Sequence, residues 1–338
     1  MIKRLLLVLA IFAVIAAAGA YWAVNQVKLS SSSPLLIEQE TLLTVAPGSH
    51  LATVVRQFEQ QGWIEESPWR QYIRHLRPEL SAVKAGTYML TQGMHFDDAL
   101  ALIVRGDEHQ FSITLLEGER FIDWLALLQQ TPYLVSETAT MTEAEIAKVL
   151  GASNEKLEGL LLPETYYFTY GTSDLTLLKR AYRAMDTLLS NTWDSRDKGL
   201  MLKTPYEVLI MASIIEKETA LAEERGLVSS VFNNRLKKGM RLQTDPTVIY
   251  GMGDSYRGVI TRSALRTPTP YNTYTIAGLP PTPIAMPGRD SVLAALNPPD
   301  SNYYYFVADT KGGHTFSTTL EQHNRAVRVY RQWERSQR

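Results

Sequence analysis

Thr204-Pro-Tyr-Glu-Val-Leu-Ile-Met-Ala-Ser-Ile-Ile-Glu-Lys-Glu-Thr219 reads as one strong helix. Thr204 is a good N-cap, and Pro205 suits a first turn whose N–H has no helical partner. Glu207 stands three residues after the cap. Near the end of the stretch lie two glutamates, two positions apart, which point in widely different directions on a helix. Glu218 follows Ile215 and Ile214 by three and four residues and Met211 by seven, so it shares their apolar face. Glu216 lies on a flank and Lys217 points away, so Glu216 is expected to tolerate replacement far better than Glu218. A carboxyl held against an apolar face is partly desolvated, which favours its protonated form. That is the state a general acid needs near neutral pH. The plainer alternative makes both glutamates solvated helix residues, paired with Lys217 or Arg225.

Upstream, Leu175 to Leu189 is a longer amphipathic helix, and Thr142 to Leu150 and Glu155 to Leu161 are expected to be short helical segments. Further upstream a weak repeat emerges. Gly48, Gly93 and Gly118 each close a short β-prone run (Leu42 to Val45, Tyr88 to Leu90, Phe111 to Leu116). Each is followed three residues later by Leu51, Phe96 or Phe121, which begins an apolar pattern of helical spacing. With a short helix over Pro68 to Leu76, the stretch from Thr41 to Gly106 is a small α+β module. From the pattern alone it is either a compact spacer or a glycan-binding unit. Downstream of Gly239, glycine, proline, tyrosine, threonine and asparagine dominate through Pro299 with little helical period, and this long irregular segment is expected to line a cleft.

The N-terminus decides the compartment. Leu5 to Val24 carries no charge and is long enough to cross the hydrocarbon layer as a helix. Lys3 and Arg4 precede it and only Lys28 follows closely, so the positive-inside bias holds the N-terminus in the cytoplasm. Tyr21 and Trp22 sit where an interfacial aromatic belt belongs. The small residues Ala16-Ala-Ala-Gly-Ala20 also permit a cleaved signal peptide, but the apolar run exceeds a usual signal core, which favours a retained anchor. Ser30 to Pro34 reads as a linker.

Composition excludes several classes. The formal net charge is −1, which leaves no basic excess for a nucleic-acid backbone. There is no cysteine, hence no disulfide, thiol nucleophile or cysteine-ligated metal. The six histidines are scattered without a His-Glu-x-x-His, and no Gly-x-Ser-x-Gly elbow or phosphate loop occurs. Neither metal nor cofactor is expected.

Ala212-Ser-Ile-Ile-Glu-Lys-Glu-Thr219, Arg241-Leu-Gln-Thr-Asp-Pro-Thr-Val-Ile-Tyr-Gly251, Tyr271-Asn-Thr-Tyr274 and Gly278-Leu-Pro-Pro281 together resemble the MltG (YceG-like) endolytic murein transglycosylases. Glu158-Gly-Leu-Leu-Leu-Pro-Glu-Thr-Tyr166, Tyr305-Phe-Val-Ala-Asp309 and Gly313-His-Thr-Phe-Ser317 fit the same family, so the likeness runs from the anchor to about Val327. The resemblance implies an α+β protein with a transmembrane anchor at 5–24 behind a cytoplasmic 1–4. A linker at 25–40, a LysM-like module at 41–110 and a catalytic domain with an open cleft at 111–338 complete the expected chain. It implies a lyase of the bacterial inner membrane, with its C-terminal part periplasmic. Such an enzyme cuts peptidoglycan strands internally between N-acetylmuramic acid and N-acetylglucosamine and leaves 1,6-anhydro ends. Its expected partners are glycan strands and peptidoglycan synthases, whose nascent strands it shortens. The family's catalytic glutamate is the second of Glu-Lys-Glu-Thr and maps onto Glu218. Gln243, Asp245, Tyr250, Asn272, Tyr274 and His314 are candidate sugar contacts. For Asp245 and Asn272 turn chemistry is the alternative, and Glu164 and His314 can equally be structural. Met286 stands where many members have asparagine, and Thr310 follows Asp309 where glycine is frequent. Two other functions stay open from sequence: an anchored glycan-binding scaffold without catalysis, and a muramidase that hydrolyses, with Asp245 positioning water.

Overall fold

The computed structural model describes residues 2–337 and shows a mixed α+β protein that divides into two compact units. The first comprises residues 1–111 and 167–171, the second 112–166 and 172–338. The glycine-closed repeat seen in the sequence is their shared building block. β1 (Thr41–Val45), Gly48 and α2 (Leu51–Gln60) form its first copy. β2 (Gly86–Leu90), Gly93 and α4 (Phe96–Arg105) form the second, and α3 (Ile73–Leu76) lies between them. β3 (Phe111–Thr114), Gly118 and α5 (Phe121–Gln130) form the third. The three glycines have φ of 81°, 81° and 78°, a left-handed conformation that residues with a Cβ rarely adopt.

In the first unit β1 and β2 pair antiparallel, with Leu43 opposite Tyr88 and Val45 opposite Gly86. Their inward side chains close over Val54, Phe58, Phe96, Leu100 and Ile103. An apolar helix, α1 (Ile2–Ser31), precedes them and is long and apolar enough to cross a membrane. The expected linker at Ser30 to Pro34 is not a free segment. The helix runs through Ser31, and Val27 and Ser31 are buried. Buried Arg70 donates to the Ser30 carbonyl and the Ser33 hydroxyl, each at 3.2 Å, and Leu35 N–H donates to the Met94 carbonyl at 2.9 Å.

The second unit continues with α6 (Glu143–Leu150), whose Thr142 and Glu145 form a capping box, then β4 (Thr165–Phe168) and α7 (Asp174–Thr192). β3 and β4 make a second two-stranded sheet. The Glu155 to Leu161 segment is a series of turns rather than the expected helix. Gly159 has φ 76°, and a Cβ there would meet the Pro283 ring at 2.4 Å, so a close approach of two backbones replaces a helical turn. The central α8 (Pro205–Glu218) has Val208 through Ile215 all buried, and it packs on α9 (Ala222–Lys237), α10 (Asp245–Met252) and α11 (Arg289–Leu296). α10 and α11 interrupt the segment read as irregular. Asp245-Pro246, for which turn chemistry is the alternative in the sequence, forms the first turn of α10, the other place where such a pair is favoured. β5 (Tyr305–Ala308) and β6 (His314–Ser317) form an antiparallel hairpin covered by α12 (Leu320–Ser336).

Candidate active site

Glu218 is the last residue of α8, where the helix dipole presents its negative end and already disfavours a second negative charge. Burial pushes its pKa up, and neighbouring Asp245 adds to that push. The hydrogen bond from the Thr244 hydroxyl, His314 and Arg235 pull the other way. The carboxyl therefore keeps its proton above the ordinary carboxylate range and has a donor aimed at it once the proton leaves.

Glu218 opens on a cavity of about 580 Å³ in the second unit. Gln243, Asp245, Tyr274 and His314 line the same cavity, so four of the six expected sugar contacts are brought to the candidate acid. Each is held in place. Gln243 has φ 53°, a left-handed conformation uncommon for a residue with a side chain, which costs about 1–3 kcal/mol. The kink is secured on both sides: Arg235 Nη1 donates to the Leu242 carbonyl at 2.6 Å, and Gln243 N–H donates to the Thr273 carbonyl at 3.2 Å. The Tyr274 hydroxyl donates to Asp245 Oδ1 at 2.6 Å, and burial first, then this bond, raises its pKa. His314 Nδ1 lies 2.6 Å from Glu224 Oε2, while Glu224 Oε1 accepts the His314 N–H at 2.8 Å, so one carboxylate fixes both ring and backbone.

Two expected contacts lie elsewhere. The Asn272 side chain is buried and fully used: its amide donates to the carbonyls of Ala264, Leu265 and Thr267, and its oxygen accepts the Tyr274 N–H. It is a loop staple with no atom left for a sugar. Tyr250 lines a separate cavity of about 810 Å³ with Arg120, Lys217 and Arg257, and its hydroxyl donates to Glu158 Oε2 at 3.2 Å. Glu158 is buried and also accepts the Phe121 N–H at 3.0 Å; burial pushes its pKa up to about 7 against those bonds.

Glu216 also departs from its expected place on a tolerant flank. The middle of α8 is buried all round, and although Lys217 is exposed, the Glu216 side chain is only 5% exposed. It accepts the Gly288 N–H at 2.9 Å and stands 3.8 Å from the Arg225 guanidinium, to which Glu117 and Asp290 also reach. Met286 is likewise a packing residue: its backbone bonds to Gly118 and Glu119, and its sulfur sits 3.3 Å from the Gly159 nitrogen. Thr310 lies exposed in the turn between β5 and β6.

Residues not singled out in the sequence complete the site. Thr244 is buried among Thr247 and Thr273 and takes Glu218 as its hydroxyl's acceptor, although it lies between two residues that were named. Arg235, from α9, supplies a buried cation, and burial lowers its pKa while Tyr305, Tyr274 and Glu218 raise it. Its guanidinium lies 5.3 Å from the Tyr305 ring centre. Arg235 stands in the last turn of α9, where a basic residue is ordinary, so nothing in the sequence signals its burial. Among the described residues no group of three or more His, Asp or Glu side chains is placed to hold a metal ion.

The profile of the YceG-like family matches residues 43–329, from β1 into α12. The chain belongs to the YceG-like family. An endolytic murein transglycosylase of Bacillus subtilis (strain 168) is 31% identical, over 85% of this chain and 84% of that one. One of Streptococcus pneumoniae serotype 2 is 28% identical over 96% of this chain, which spans 65% of that relative's length. The crystal structure of a putative YceG-like protein from Listeria monocytogenes superposes with a TM-score of 0.51 at 29% identity, over 86% of this chain and 99% of that one. Glu218 and the candidate sugar contacts Gln243, Asp245, Tyr274 and His314 around its cavity all lie within the span that the YceG-like profile matches.

Proposed function

We propose that this chain is an endolytic peptidoglycan lytic transglycosylase with Glu218 as its single acid/base. The observation that carries the reading is a carboxyl at the end of α8, its pKa raised by burial, lining a polar cavity, in a family whose curated relatives are named endolytic murein transglycosylases. Glu218 gives its proton to the oxygen joining N-acetylmuramic acid to N-acetylglucosamine, and the bond from C1 to that oxygen breaks. The C6 hydroxyl of the same muramic acid closes onto C1, and its proton returns to Glu218, leaving a 1,6-anhydro end. The nucleophile belongs to the substrate, so one carboxyl serves both steps, without the paired carboxylates of glycosidases. Thr244 steadies the carboxylate between the two transfers. Gln243, Asp245, Tyr274 and His314 hold the sugars.

Internal cutting calls for a groove open at both ends, and we assign that role to the cleft around this cavity. In this reading the small module at 41–110 is LysM-like and holds glycan, the 25–40 stretch joins it to the anchor, and 111–338 is the catalytic domain. α1 anchors the enzyme in the inner membrane with the rest periplasmic, beside the synthases whose nascent strands it shortens. Mass spectrometry of the products from polymeric strands tests the reaction. Ends lighter by one water than hydrolysed ends, generated within strands, support it; hydrolysed ends alone would make the enzyme a muramidase, and absence of cleavage would leave a binding protein.

A further inference from the structure

Within the first unit a line of rings runs from the anchor helix onto the segment that packs against it. Trp22 on α1 meets Trp69 edge-on with ring centres 5.3 Å apart; Trp69 is 6.4 Å from Tyr72, and Tyr72 is 6.4 Å from His75. Leu5 to Val24 spans twenty residues, about 30 Å of helix, so Trp22 falls at the outer edge of the hydrocarbon. Aromatic rings with a polar edge favour that depth. Trp69 shares it by contact, and the exposed Tyr72 and Leu76 follow on the same short segment. Beside them a notch of about 510 Å³ has Val24, Val27, Ile73 and Leu76 as its apolar wall and Lys28 and Arg77 among its charged residues. Arg77 is paired with Glu79 and lies 3.9 Å from Asp97. The ammonium of Lys28 and the guanidinium of Arg74 have no acidic partner among the described residues.

We infer that the Trp69 to His75 segment and the notch beside it lie on the outer leaflet, with aromatic and leucine side chains among the lipid headgroups and Lys28 and Arg74 against anionic lipid phosphates. The inference rests on the reading of α1 as a membrane span. Aromatic continuity with the anchor sets the depth of the surface. Lys28 beside the apolar wall and Arg74 on the adjoining segment, whose guanidinium donates to His75 at 3.3 Å and meets no carboxylate, set the lipid charge. Because α1 is unbroken to Ser31 and clamped by Arg70, no hinge separates the anchor from this surface. The first unit therefore stands at a fixed height, resting on the bilayer instead of swinging above it.

The natural chain has no cysteine, so single spin labels can be placed without background. The full chain, carrying Ile11→Cys, Tyr72→Cys or Leu76→Cys with a nitroxide, is reconstituted in phosphatidylethanolamine–phosphatidylglycerol vesicles. Depth is read from relaxation by oxygen against a water-soluble nickel complex. Ile11 is expected in the hydrocarbon core, and Tyr72 and Leu76 at headgroup depth. The Leu76 label should become shallower when Lys28→Gln and Arg74→Gln are added. A deep Ile11 with fully aqueous Tyr72 and Leu76 overturns the lipid surface and leaves the anchor standing. An aqueous Ile11 overturns the span, and the inference with it. Unchanged depth in the double variant overturns the anionic lipid assignment.

Discussion

Replacing Glu216 with Gln asks whether the neighbour of the candidate acid is structural. The carboxylate accepts the Gly288 N–H at 2.9 Å and faces the buried Arg225 guanidinium at 3.8 Å. Gln retains an oxygen for Gly288 and loses the charge facing Arg225. Breaking a buried pair by removing one partner typically costs about 3–5 kcal/mol. Here Glu117 and Asp290 remain, but their side chains are 51% and 69% exposed, and exposed partners contribute at most about 1 kcal/mol each. With that residual pairing and the retained hydrogen bond, a loss of about 2 kcal/mol is expected. For a unit of this size that lowers the midpoint by roughly 4–8 °C. Thermal unfolding of the full chain in detergent reads the midpoint, and strand cleavage well below it should stay within a few-fold of wild type. An unchanged midpoint would refute the ion-pair reasoning. Loss of cleavage without loss of stability would mean that Glu216, not packing, belongs to the chemistry.

Other outcomes follow from the same environments. Glu158 titrates near 7 in the folded chain against 4.5 in the unfolded one, so between those values the native state keeps a proton that the unfolded chain has released, and stability falls as pH rises through the window. Glu158→Gln is neutral throughout; its unfolding free energy should match wild type near pH 4 and exceed it by pH 8, by up to about 3 kcal/mol, and a gap independent of pH contradicts this. Thr244→Val keeps the shape and removes the donor to Glu218, a bond to a charged group worth about 1.5–3 kcal/mol. The carboxyl should then hold its proton to higher pH, so the limb of the kcat/KM profile that reports Glu218 moves upward; an unmoved limb means Thr244 does not tune the acid.

What could be read in the sequence was local. The capped helix ending at Glu218 and the three strand–glycine–helix copies are encoded within some twenty residues each, and α2, α4 and α5 begin at Leu51, Phe96 and Phe121 as the spacing indicates. What escaped depends on distant partners. Glu216 was misjudged because its surroundings come from Arg225 on α9 and Gly288 ahead of α11, which no periodicity within α8 reveals. Asn272 reads as a sugar contact or a turn former alike, because an asparagine in a loop looks the same whether its amide meets a ligand or three backbone carbonyls. Tyr250 and Tyr274 come from neighbouring motifs, yet they line different cavities. Thr244 was passed over because a buried hydroxyl gains meaning only from its acceptor.

The central claim is that Glu218 is the proton donor, and Glu218→Gln tests it most directly. Gln preserves the volume at the end of α8 and removes the transferable proton, so folding and glycan binding should persist. Removing the burial penalty on a carboxyl whose pKa is raised should, if anything, stabilise the protein as pH increases. General acid/base catalysis contributes roughly a hundred- to ten-thousand-fold, and a site with one such group should lose at least that in the rate at which 1,6-anhydro ends appear on polymeric strands. Near-normal formation of anhydro ends by a folded Glu218→Gln protein would contradict the account and place the acid elsewhere.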